Sequence, residues 1–378
     1  MEKYKEYYLE LLKASINGTT PPEPDKNIDW RDVYLFSTEQ SQFSCFYDAV
    51  LKLKNRPEQS VLDKMKINYD NQIRRDATRE FLMNEILEKF EEKSIKCMGL
   101  KGYIVRNFYP KSVYRYLSDF DILCEPSQLQ QAQQALLELG YNLYKDDPHH
   151  LIFVSRDLPI ELHKSLFINE FDDYFGVGFE RAHPVEGKKF NMELSTEDFY
   201  IYFIAHAVTH FVHAGIGLRT LTDIYLFWKK YEGKIDSDYI ESQLQILGIS
   251  KFNNEFKKLA VCVFDDGDYD EISRALLESV MSSNTSGNIK REAQIKAASG
   301  EGNKRFLKAV FPSYDYLVYR YEWLKGKKYL IGLAWLKRAL DIALNKSRRD
   351  KIAVNLAVHS ADEVADLFSE LELEKFLK

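Results

Sequence analysis

The hydrophobic period of this chain changes twice, and those changes limit the folds open to it. From Arg79 to Lys93, Leu82, Ile86 and Phe90 recur every four residues among Glu and Lys, the stripe of a one-faced helix. Residues 1–95 read as helical throughout. At CMGL (97–100) the pattern turns into a short apolar run closed by Lys101-Gly102, which predicts a strand entering a turn. YIVRNFY then reads as a short helix stopped by Pro110, and DFDILC (119–124) as the next strand. Pro126 opens a helix with Leu129, Ala132, Leu136 and Leu139 on one face, closed by Gly140. Three extended pieces follow, YNLYK, HHLIFVSR and LPIELHKSL, separated by turn signals at Asp146-Asp147-Pro148 and Arg156-Asp157.

From Ser195 the helical period returns, opened by an S-x-x-D cap on Ser195 and Asp198, and it continues to Lys378. The expected class is therefore α+β, a small mixed sheet flanked by helical regions. The expected segments are an N-terminal helical region (1–95), a strand-rich core (96–190) and a helical region with a histidine-rich helix (191–280). A polar loop (281–304) and a C-terminal helical region (305–378) complete the chain. The aromatic stretch 314–335 reads as core, and NKSRRDK (345–351) as a solvated charge run.

Bulk properties exclude several functions. A net charge of −6 supplies no basic field for a long nucleic-acid duplex. Cys45, Cys97, Cys124 and Cys262 are scattered and form no CxxC pair, which suits a reducing cytoplasm rather than a disulfide framework. MEKYKEYYLELLKAS lacks the apolar centre of a signal peptide, and no apolar run approaches the ~18 residues of a membrane span. The expectation is a soluble cytoplasmic protein with no membrane partner.

The chemistry gathers on the predicted strands. Asp119 and Asp121 stand two apart, so on a strand both carboxylates face one side while Phe120 and Ile122 face the other. Two such carboxylates repel each other unless a cation sits between them, and hard ions such as Mg²⁺ favour oxygen ligands. A strand end entering solvent is the alternative reading of the same residues. In PIELH, Glu161 and His163 likewise share a face, and a glutamate within an apolar strand is costly unless paired or ligated. Asp119, Asp121 and Glu161 together could hold two Mg²⁺ ions for an in-line phosphoryl displacement. Gly102 would let backbone approach an anionic ligand, with Lys101 and Arg115 as cationic partners, unless these are ordinary turn and surface residues. His206, His210 and His213 share one helix face. They could line a cleft, hold a structural zinc ion or simply pack. Arg219 and Asp223, four apart, could be an ordinary helix ion pair.

LKG, then R-x-L-x-D-F-D-I-L, a helix ending LGY, and IELH resemble the uncharacterised bacterial nucleotidyltransferase family of the polymerase-β-like superfamily. HAVTHFVHAGIGLRTLTD is similar to that family's helix with two histidines followed by Arg and Asp, and residues 311–340 are more loosely similar to its C-terminal part. The resemblance implies a nucleotidyltransferase core in which Gly102 is the turn glycine, Asp119 and Asp121 the metal-binding pair and Glu161 the third acid. Tyr103 stands where the wider superfamily often has Ser or Gly. The implied reaction is Mg²⁺-dependent transfer of a nucleoside monophosphate from an NTP, ATP foremost, to an unidentified acceptor hydroxyl. His163, His206, His210, Arg219 and Asp223 would line the cleft. A non-catalytic binding or regulatory protein that keeps the fold, and a zinc-dependent protein built on the histidine helix, are the competing expectations.

Overall fold

The computed structural model describes residues 2–147, 149–155, 157–168 and 170–283, then 314, 317, 324, 326–335, 337 and 361–377. The expected turn residues Pro148 and Arg156, most of the polar loop 281–304, the charge run 345–351 and most of 311–340 lie outside these.

Helices α1 (Lys3–Asn17), α2 (Trp30–Glu39), α3 (Phe43–Val50) and α4 (Gln59–Glu92) precede the first strand. A seven-stranded sheet follows, built from β1 (Cys97–Gly99), β2 (Phe120–Cys124), β3 (Asn142–Asp146), β4 (His150–Val154), β5 (Ile160–His163), β6 (Ala182–Pro184) and β7 (Asn191–Leu194). Their order is β3-β4-β5-β2-β1-β7-β6. The β2–β5 and β1–β7 pairs are parallel and the others antiparallel, so the sheet is mixed as expected. Among the crossovers lie α5 (Gly102–Val105), α6 (Leu129–Glu138) and α7 (Asp172–Phe175). Helices α8 (Thr196–Ala214), α9 (Leu218–Tyr231), α10 (Ser237–Leu247), α11 (Ser250–Phe264) and α12 (Glu271–Ser282) follow the sheet. Helix Ala361–Glu370 lies near the C-terminus. No helix among the described residues is long and apolar enough to cross a membrane.

Strand alternation sorts the sheet's two faces. Phe120, Ile122, Cys124, Ile160 and Leu162 pack with Leu82, Met83, Ile86 and Phe90 of α4 and with Ala132, Ala135 and Leu136 of α6. On the opposite face, Met98, Leu100 and Leu123 join a larger core shared by α1, α3, α8, α9 and α11. The two cores meet at β2. Because its apolar partners occupy both sides, the strand is held in place while its N-terminal end stays open.

One expectation is corrected. The chain is not wholly helical after residue 190, since β7 continues the sheet to Leu194 and adds a parallel neighbour to β1. Strands β6 and β7 are three and four residues long, too short to display an alternating pattern. Their connection turns at Gly187 with φ +77. The carboxylate of Glu91, at the end of α4, accepts N–H bonds from Lys189, Phe190 and Asn191 at 2.7–3.0 Å. That anchor comes from about a hundred residues away, so no local signal announces the hairpin.

Candidate active site

Asp121 and Glu161 are direct partners in the parallel β2–β5 ladder. Parallel register puts both side chains on the same face, and the preceding Asp119 falls at the open end of β2 on that side. All three carboxylates line a cavity of about 280 Å³. Lys101, Gly102 and Arg115 line it from the β1–α5 turn and the approach to β2, and α8 and α9 close it with His206, His210, Arg219 and Asp223. Residues separated by more than a hundred positions thus converge on one space.

The carboxylates differ in environment. Asp121 is buried; its Oδ1 accepts from Lys101 Nζ at 2.9 Å and meets His163 Nε2 at 2.8 Å. Burial alone would raise its pKa, but Lys101 and His163 outweigh that and hold the carboxyl well below the usual range. His163, whose Nε2 lies 3.6 Å from a Glu161 oxygen, lowers that carboxyl as well. Asp119 moves the other way. Burial, then the charges of Asp121 and Glu161, raise it, although Ser118 Oγ donates to its Oδ1 at 2.9 Å. An acid raised by its acidic neighbours marks a site short of positive charge.

Asp121, Glu161 and His163 bring one ligand atom each within 4.8 Å of one another. The two carboxylate oxygens suit a hard divalent cation, with Asp119 beside them on the cavity wall. His163 does not line the cavity itself. It lies beneath Asp121, only 2% exposed, and orients that carboxylate.

The cations are arranged differently from the simple expectation of a free Lys101 and Arg115. Lys101 is tied to Asp121. Arg115 grips Asp223 through Nε and Nη2, each 2.9 Å from a carboxylate oxygen, and Tyr109 Oη adds a third bond at 2.6 Å. The expected Arg219–Asp223 helix pair is therefore absent, because Asp223 turns inward to Arg115. Among the described residues Arg219 has no carboxylate partner, only a 3.4 Å bond to the Tyr116 carbonyl. Burial and the Arg115 charge push its pKa down to about 10.

Gly102 sits in close contact with the Leu117 side chain. A Cβ there would lie 2.6 Å from Leu117 Cδ2, in the wall of the cavity. Lys101 before it takes φ +45, an unusual backbone for a residue with a side chain. Tyr103 sends its ring away from the carboxylates to pack, tilted, against Phe120, at a centroid distance of 5.3 Å. Its hydroxyl contributes nothing to this cavity. On α8, His206 Nε2 and His210 Nε2 are 2.8 Å apart while His213 is exposed, so the helix histidines do not form a three-ligand group among the described residues.

Residues missed by sequence reasoning include Ser118, Tyr109, His149 and His150. The histidine pair was visible as a dipeptide. Its approach to His163 depends on the β4–β5 register, which the sequence does not display.

The sequence profile of the uncharacterised nucleotidyltransferase family matches residues 26–265, more than half of the chain. The chain belongs to that family. It is a nucleotidyltransferase, and the matched segment contains every element that lines the cavity. No curated protein and no solved structure matches this nucleotidyltransferase.

Proposed function

We propose that this nucleotidyltransferase transfers a nucleoside monophosphate from an NTP, ATP first among them, to an acceptor hydroxyl at the cavity between β2–β5 and α8–α9. The observation that carries the reading is the ladder pairing of Asp121 with Glu161, with Asp119 at the same open end. Asp119, Asp121 and Glu161 would hold two Mg²⁺ ions. Bound there, the ions would supply charge neutralisation for the triphosphate and a more nucleophilic acceptor oxygen. In the reaction the acceptor oxygen bonds to the α-phosphorus, the bridge to the β-phosphate breaks and pyrophosphate departs. The hydroxyl proton passes to the carboxylate cluster.

The protein's own groups position this exchange. Arg219, which has no carboxylate partner among the described residues, would take phosphate oxygens. Lys101 would release Asp121 to a metal ion and turn to the triphosphate, beside the Gly102 backbone. His163 keeps Asp121 oriented, and His206 and His210 form the wall that the acceptor meets. Arg115 acts through Asp223 as a positioning residue. The four free, buried cysteines support a reducing cytoplasm as the setting.

The Lys101–Asp121 pair favours one competitor, a non-catalytic binding or regulatory protein in which the ammonium stands permanently in place of metal. Calorimetry with each of the four common NTPs separates the two. The enzyme reading expects binding that needs Mg²⁺ and collapses with EDTA, and labelled NTP incubated with a cell extract should mark an acceptor. Absence of metal-dependent binding for all four NTPs would defeat it.

A further inference from the structure

Behind the carboxylates, three imidazoles meet. Strand β5 ends at His163, whose ladder partner across the antiparallel β4–β5 pair is His150, so both side chains leave the same face. His149 precedes them on the approach to β4, and its carbonyl accepts the backbone N–H of Lys164 at 3.1 Å. Ring centres lie 4.8 Å apart for His149–His163, 5.2 Å for His150–His163 and 5.5 Å for His149–His150. One nitrogen from each ring falls within 4.8 Å of the other two.

We propose that His149, His150 and His163 form a zinc site, separate from the hard-metal cluster of the carboxylates. Nitrogen ligands at about 2.0–2.1 Å from a tetrahedral zinc ion lie about 3.3 Å from one another, and their ring centres about 5 Å apart. His163 Nδ1 and His149 Nε2 are 3.2 Å apart, and all three ring separations are close to that figure. His163 Nε2 sits 2.8 Å from Asp121 Oδ1, so the tautomer with its proton on Nε2 frees Nδ1 for the ion. A carboxylate bonded to the far nitrogen is the arrangement that orients zinc-binding histidines. Nδ1 of His150, like Nδ1 of His149, is buried with no hydrogen-bond partner among the described residues, so these rings hold nitrogens without the contact that would satisfy them. Three imidazoles select a transition metal over Mg²⁺. Asp121 therefore stands between two cation sites of different chemistry, facing one directly and the other through His163.

The test is equilibrium dialysis of the full chain against Zn²⁺ with metal analysis, paired with visible spectra of the Co²⁺-substituted protein. The wild type and Asp119→Asn are expected to bind one equivalent, with the intense cobalt bands of a tetrahedral site. His149→Ala and His150→Gln should each weaken binding at least about tenfold while circular dichroism stays unchanged. Should either variant fail to fold, the other variant and the wild-type cobalt spectrum carry the decision. No stoichiometric zinc on the wild type, a weak octahedral cobalt spectrum, or full binding retained by both variants overturns the proposal. So does zinc lost specifically from His206→Ala or His210→Ala. None of these readouts depends on nucleotidyl transfer, so the two readings can fail separately.

Discussion

Arg115 holds Asp223 through two parallel charge-assisted hydrogen bonds, tying the approach to β2 directly to α9. Both side chains are more than nine-tenths buried, so the pair is largely shielded from bulk water. The carboxylates of β2 and the wall formed by α9 are thereby fixed relative to each other. A fold that left these two elements independent would let the cavity change width.

The two arginines of the cavity should consequently behave oppositely. Arg115→Ala leaves Asp223 buried without its cation, with only the Tyr109 hydroxyl to bond it, and should cost about 3–5 kcal/mol of stability. Arg219→Ala breaks no ion pair among the described residues and should leave the melting temperature near wild type while weakening Mg-NTP binding at least about tenfold. Denaturant unfolding and calorimetry on the two variants test this; equal stability losses would remove the distinction.

The paired aspartates should also separate. Asp119 is raised by burial and by its acidic neighbours, so its charge opposes folding, and protonation relieves that opposition as pH falls through its folded value. Asp119→Asn should make the metal-free protein equally or more stable. Asp121 is depressed, so its stabilisation is present above its unfolded pKa and is lost as pH falls through the folded one. Asp121→Asn strips Lys101 of its partner and should destabilise the metal-free protein. Both changes should abolish most Mg²⁺-induced stabilisation and reduce turnover at least about 10²-fold. Thermal unfolding with and without Mg²⁺ measures the four stability comparisons, and transfer of label from NTP in a cell extract measures the two losses of turnover.

His206 carries a pKa pushed well below that of an ordinary histidine, first by burial and then by the Lys101 charge. It should take up its proton at lower pH than a free histidine does. Nitrogen-15 NMR of labelled protein across an acid titration would show the imidazole change moved down from the ordinary histidine range. A titration centred near 6.5 would contradict the placement of His206 against Lys101. Replacing His206 by Ala should impair turnover while changing stability by no more than about 1–2 kcal/mol.

Gly178 takes φ +111, and a Cβ there would lie 2.5 Å from Leu166 and 2.9 Å from Leu123. Leu123 belongs to β2, two residues beyond Asp121, on the same face. Gly178→Ala should cost about 1–3 kcal/mol and disturb the carboxylate strand from behind. Unfolding and Mg²⁺ titrations together would register both effects; a neutral substitution would show that this packing yields.

How much could be read beforehand depends on the range of the signal. Strand alternation is local, so Asp119, Asp121 and Glu161 could be assigned to faces from their immediate neighbours, and their order along the chain suggested a shared site. Helix stripes such as Leu82, Ile86 and Phe90 were legible for the same reason. Asp223 was not, because its partner Arg115 lies 108 residues away while Arg219 sits at the tempting four-residue spacing. The β6–β7 hairpin depends on Glu91, and the meeting of His149 with His163 depends on a strand register. Each is a tertiary fact with no sequence period of its own.

Helix α1 lies wholly before the segment that matches the family. Yet Tyr8, Leu11 and Leu12 are completely enclosed in the larger core, and α1 packs on α3 and α11. Shared ancestry and folding therefore draw different borders on this molecule. A chain trimmed to the recognisable segment would expose an open apolar trench along α3 and α11, and self-association through that trench would follow. Any expression of this protein as an isolated family domain has to carry α1 with it.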